Sequence, residues 1–226
     1  EYIACDALEP SWNIWDEFSA NECLVALKRD SFEGVQSVKM DVSSPGEIEA
    51  LFDHAIVYAK GSRLLRMLHD FVGDEAFRYG LRAYFQRFAY SNTTENDLWN
   101  ALSSVSGKDI STFMSTWLTR PGYPVVTFSG NSISQERFFI GKHSYDDTFW
   151  TIPLLPNADS FPKILESSKM DVDNNLIILN MADGAHFVTH YDDDQFKSIL
   201  NAISHEALDS VDIIRIINEQ LMLAIS

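Results

Sequence analysis

The chain reads as a multidomain α and β protein. A helical zone, a small β-sandwich and the start of a second helical zone follow one another. Three observations predict this order. Apolar residues recur with helical spacing from Tyr2 to about Leu118; Arg120-Pro121-Gly122-Tyr123-Pro124 then breaks helix; beyond it the hydrophobic period drops to two, until helical patterning returns at Asp194. At 226 residues and 46% hydrophobic, the chain can bury a sizeable core.

In the first zone, 34–45 reads as extended or loop. Leu64, Leu65, Leu68, Phe71 and Val72 form one apolar stripe, and Gly73-Asp74 ends that helix and starts the next. Phe77, Leu81, Tyr84, Phe85 and Phe88 predict a wide core-facing stripe. Thr94 and Asp97 have capping-box spacing, and Gly107 suits the left-handed position past the helix they open. Ile110, Phe113, Met114 and Trp117 make the last stripe. In the second zone, short strands are expected at 125–128, 137–140, 150–154, 176–179 and 186–191, separated by Gly, Asn, Asp and Ser. Phe196, Ile199, Leu200 and Ile203, then Val211, Ile214, Ile217, Leu221 and Ile225, carry the closing helices. The run 213–225 is apolar on more than one side, which predicts burial in a larger helical domain.

Composition narrows the function classes. With 33 acidic against 17 basic residues, the formal charge of −16 repels phosphate backbones and anionic lipid, so neither nucleic acid nor a membrane is expected as a partner. No apolar run approaches the 18 or so residues of a membrane span. Cys5 and Cys23 lie so close to one end that a bridge would tether little; such usage suits a reducing compartment and predicts a cytoplasmic location. The opening Glu1-Tyr2-Ile3-Ala4 has neither a methionine nor a basic, apolar leader, and reads as the cut end of an internal fragment.

Few constellations could carry chemistry. His186 and His190 have the i, i+4 spacing of a zinc helix, but Phe187 stands where the general-base Glu of His-Glu-x-x-His belongs, and the β-branched and aromatic residues between them put both on one face of a strand. The remaining histidines, His54, His69, His143 and His205, are isolated, and no metal ligands are assigned. No Gly-x-Ser-x-Gly, Gly-x-Gly-x-x-Gly or phosphate loop occurs. The clusters Asp146-Asp147 and Asp192-Asp193-Asp194 lack the alternation a calcium loop requires. Tyr58 remains, in Val57-Tyr58-Ala59-Lys60-Gly61, read as standing just before a helix. Taken alone it reads first as a half-buried anchor whose hydroxyl meets backbone or water, and only second as a catalytic phenol.

The surrounding blocks decide how Tyr58 is read. Glu9-Pro10-Ser11-Trp12, Ala26-Leu27-Lys28-Arg29-Asp30, Tyr58-Ala59-Lys60-Gly61-Ser62, Gly73-Asp74-Glu75-Ala76-Phe77, Asp97-Leu98-Trp99 and the segment from Trp117 to Val126 resemble, in order, the aminopeptidase N-like zinc metallopeptidases, the gluzincin aminopeptidases. Their wording is similar to the bacterial branch found in lactic acid bacteria. The resemblance implies that 1–119 is the helical C-terminal part of a thermolysin-like catalytic domain, 120–203 the β-sandwich domain and 204–226 the start of a C-terminal helical domain. The family's zinc ligands and general-base glutamate would lie upstream of Glu1, in a catalytic lobe missing from this chain. The fragment would then bind no zinc and be inactive alone.

For the intact enzyme the resemblance implies zinc-assisted hydrolysis of peptides at their free N-terminus, with Tyr58 matching the phenol that stabilises the oxyanion. Phe52 and Asp53 would border the substrate side-chain pocket; read locally, they serve equally as a core residue and a helix cap. Two departures stand out. Four residues separate Asp53 from Tyr58 where many relatives have three, and Val188 stands where an arginine is usual. Two other classes compete: a non-catalytic helical plus β-sandwich interaction module, and a secreted carbohydrate-binding sandwich.

Overall fold

The computed structural model describes residues 1–173 and 177–226. After α1 (Tyr2–Leu8), α2 (Ile14–Phe18) runs through a π-helical segment, Ser19–Cys23, into α3 (Leu24–Asp30). A second π-helical segment, His54–Lys60, runs directly into α4 (Gly61–Val72), and the two π segments pack against each other. The helices α5 (Asp74–Arg87), α6 (Glu95–Ser106) and α7 (Ile110–Thr119) complete the helical zone. Local chemistry sets these limits. Gly73 closes α4 at φ 87°, where only glycine is unstrained, and donates its N–H to His69 O at 2.8 Å. The Thr94 capping box forms, with Thr94 N–H donating to Asp97 Oδ2 at 2.8 Å, and Gly107 ends α6 at φ 70°.

The strand zone holds β1 (Pro124–Ser129), β2 (Ser132–Arg137), β3 (Ile152–Pro153), β4 (Ile164–Leu165), β5 (Lys169–Asp171) and β6 (Val188–Tyr191). They form a mixed four-stranded sheet in the order β5-β2-β1-β6 and a separate β3-β4 pair. β1 and β2 are an antiparallel hairpin turned by Gly130-Asn131, whereas β1 and β6 run parallel, pairing Val125 with Val188. Two helices follow, α8 (Asp193–Ser204) and α9 (Ser210–Ala224).

Several strand expectations need correction. The strand expected at 137–140 lies at Ser132–Arg137: its inward position Gln135 is polar, and its amide donates to Trp150 O (2.8 Å) and Ser167 O (3.0 Å) while accepting from Trp150 N–H (2.9 Å). A buried glutamine with its hydrogen bonds met does the work of an apolar residue but breaks the alternation. Of the strand expected at 176–179, Leu176 lies outside the described residues. Ile177, Ile178 and Leu179 are buried without a ladder, because side chains satisfy the backbone: Ile178 N–H donates to Asn157 Oδ1 and Leu179 N–H to the Tyr191 hydroxyl.

One apolar core runs through all three zones, joining Leu68, Trp99 and Trp117 of the helices to Val126, Trp150, Ile152 and Phe187 of the strand zone and to Ile199 and Ile216 beyond it. Each large side chain buried there contributes about 1.5 to 3 kcal/mol. Two stripes depart from expectation. Within α5 only Gly80 is buried; Tyr79, Ala83 and Phe85 are exposed, and Phe77, Leu81 and Tyr84 of the expected stripe are half-buried. In α9 the expected stripe faces outward at Ile217 and Leu221, and Asp212, Arg215, Asn218 and Glu219 are buried in its place.

Candidate functional site

Tyr58 lies inside the π-helical segment, one turn further into helical structure than its sequence suggests. Gly61 N–H reaches back five residues to Ile56 O, and this wider turn carries the chain into α4. Asp53 opens the segment: its Oδ1 accepts from Ala55 N–H at 3.0 Å and its Oδ2 from Arg29 Nε at 2.8 Å. The side chains then divide by direction. Phe52, His54 and Tyr58 are exposed, and the Tyr58 ring, 54% exposed, stacks on His54 with centroids 5.7 Å apart.

Ile56, Ala59 and Lys60 point inward. Lys60 is fully buried and pairs with Asp30, also fully buried, at 2.8 Å; its ammonium also donates to Gly122 O at 3.1 Å. Asp30 accepts from Gly122 N–H at 2.9 Å and lies 3.0 Å from His186 Nε2. Burial alone would raise the Asp30 carboxyl, but the Lys60 charge and the His186 hydrogen bond outweigh it and hold Asp30 below the usual carboxylate range. Burial pushes His186 down to about 4 against the pull of Asp30, so the imidazole is neutral at pH 7 and donates Nε2–H to the carboxylate.

One turn on, Arg63 donates to Asp183 Oδ1 and to Ala185 O, both at 2.7 Å, and Ser19 Oγ donates to the other Asp183 oxygen. Asp183 sits in a turn where Asn180, Ala182 and Asp183 all have φ between 52° and 58°, a strained region for side chains other than glycine. From α9, Asn218 donates to Ser19 O at 2.9 Å, and Arg215 pairs with Glu219 at 3.0 Å. Burial pushes Glu219 up to about 7 despite that arginine. The helix bearing Tyr58 therefore rests on two buried ionic clusters.

A zinc centre does not fit these residues. No group of three His, Cys, Asp or Glu is placed to hold a metal among the described residues, and His186 is already committed to Asp30. Cys5 and Cys23 are free thiols, and burial pushes that of Cys23 up. The sequence points to Tyr58, Phe52 and Asp53 but passes over Asp30, Lys60 and His186. Lysine two positions from the tyrosine is a signal for Lys60 alone; Asp30 and His186 lie too far off in the sequence for it to reach them.

Comparison with known proteins places this geometry in a family. Residues 1–117 match the Peptidase family M1 domain. The chain is 46% identical, over 99% of its length, to aminopeptidase N of Lactococcus lactis subsp. lactis, and 38% identical, over 99%, to aminopeptidase N of Lactobacillus helveticus; it spans 28% of each. It is 43% identical to a leucyl aminopeptidase of Saccharolobus solfataricus over 67% of its own length and 20% of that protein. The chain belongs to peptidase family M1, among its aminopeptidase N-like members.

Proposed function

We propose that the protein carrying this chain is a zinc-dependent aminopeptidase that removes N-terminal residues from peptides, and that Tyr58 is its oxyanion donor. The observation that carries this reading is the placement of Tyr58: a half-exposed phenol on a turn locked from beneath, inside the Tyr-x-Lys-Gly block of the matched M1 region. As the scissile carbonyl is attacked, charge grows on its oxygen, and a phenol O–H held at that oxygen donates a hydrogen bond that strengthens toward the transition state. The metal and general base would come from a catalytic lobe outside this chain. Phe52 would border the substrate side chain. Asp53, with both oxygens engaged, would act by fixing the turn between Phe52 and Tyr58.

The same reading assigns 1–119 to the catalytic domain, 120–203 to a sandwich domain and 204–226 to a further helical domain. Free cysteines support a reducing, cytoplasmic setting. No described helix is long and apolar enough to cross a membrane.

Loss of one oxyanion donor typically costs about 3 to 4 kcal/mol. Tyr58→Phe in the full-length protein should therefore lower kcat about 100- to 1,000-fold with the melting temperature and metal content retained. Unchanged kcat on an aminoacyl p-nitroanilide would remove Tyr58 from the mechanism.

A further inference from the structure

Lys60 is buried without any apolar reason to be there, since a charged side chain is excluded from protein interiors unless it is paired. Its partners come from three separate places: Asp30 at the end of α3, Gly122 in the turn before β1, and, through Asp30, His186 just ahead of β6. Gly122 is held at both its N–H and its C=O by this pair. Its φ of 84° is one that side chains other than glycine's rarely adopt, and a Cβ there would stand 2.3 Å from Arg137 Nε, so the arginine would have to move. The pair therefore ties the π-helical segment to the backbone of the turn before β1.

Lys60 also belongs to the same π turn as Tyr58. A π turn is the less stable alternative to continued α-helix, and an α-helical register across 54–60 would rotate Tyr58 relative to α4. Something must select the wider turn. A buried pair whose geometry admits one register can do so, which is the best-attested use of buried polar groups.

We propose that Lys60 and Asp30 are positioning residues, an ionic latch that selects the π-helical register and so fixes the direction of the Tyr58 hydroxyl. The catalytic part of this rests on the reading of Tyr58 as the oxyanion donor; the conformational part does not.

Lys60→Met alone leaves the buried Asp30 carboxylate without its counter-charge, held only by Gly122 N–H and His186, and risks unfolding, so the test uses the paired variant Lys60→Met/Asp30→Asn in the full-length protein, alone and combined with Tyr58→Phe. Two readouts apply. The paired variant should lower kcat 10- to 100-fold with KM within twofold, and adding Tyr58→Phe should then cost much less than it does in the wild type. Fully multiplicative losses, or an unchanged kcat in a background where Tyr58→Phe is damaging, would overturn the positioning role. Hydrogen exchange tests the latch independently of catalysis. Amides of Tyr58 to Gly61 should exchange at least tenfold faster in the paired variant while those of Leu64 to Leu68 hold their rates. Equal protection in the π turn would overturn the latch. If Tyr58→Phe proves harmless, only the catalytic reading falls, and the exchange result still decides the conformational one.

Discussion

Two fully buried groups, His186 and Glu219, are held away from their ordinary titration ranges in opposite senses. His186 titrates near 4 against an ordinary 6.5, so its neutral form contributes stability above about pH 6.5 that is lost as pH falls toward 4. Glu219 titrates near 7 against an ordinary 4.5, so its protonated form contributes stability below about pH 4.5 that is lost as pH rises through 7. Each shift corresponds to on the order of 3 kcal/mol, and between about pH 4.5 and 6.5 the two oppose each other. Glu219→Gln should leave the His186 limb uncompensated. Urea denaturation from pH 7 to 4.5 should then show the variant losing stability faster in acid than the wild type. A difference that stays constant over that range would contradict the assignment.

The packing of α5 on α6 reverses an ordinary expectation. Alanine for glycine inside a helix usually adds about 1 kcal/mol. At Gly80, however, a Cβ would stand 2.7 Å from Leu102 Cδ2 and 3.2 Å from Leu102 Cα, and overpacking of that kind costs about 1 to 3 kcal/mol. Gly80→Ala should therefore lower the melting temperature by about 2 to 4 °C, and a raised one would contradict the packing. Legibility in the sequence follows the same logic of neighbours. The capping box at Thr94, the stop at Gly73 and the α7 stripe were readable because each is decided within one turn of chain. β2 and the outward stripe of α9 were not, because Gln135, Arg215 and Glu219 find their partners far away or on a buried face that only tertiary structure creates. The π turn was not legible: the sequence placed Tyr58 just before a helix and not inside one. Phe52, Asp53 and Tyr58 could be named from sequence, but the latch could not, since Asp30, Lys60 and His186 span 156 positions.

At the scale of the whole molecule, the core shared by α4, α6, α7 and the strand zone makes the direction of Tyr58 a property of the fold, because Gly122 and His186 reach the latch from the strand zone. A phenol fixed in this way can be complementary to a transition state and not merely to a bound substrate. The direct measurement compares a tetrahedral phosphinate peptide analogue with an ordinary substrate in the full-length protein, wild type and Tyr58→Phe. Analogue affinity should weaken in parallel with kcat/KM, by about 100-fold or more, while substrate KM changes little. Equally tight analogue binding by Tyr58→Phe would contradict the account.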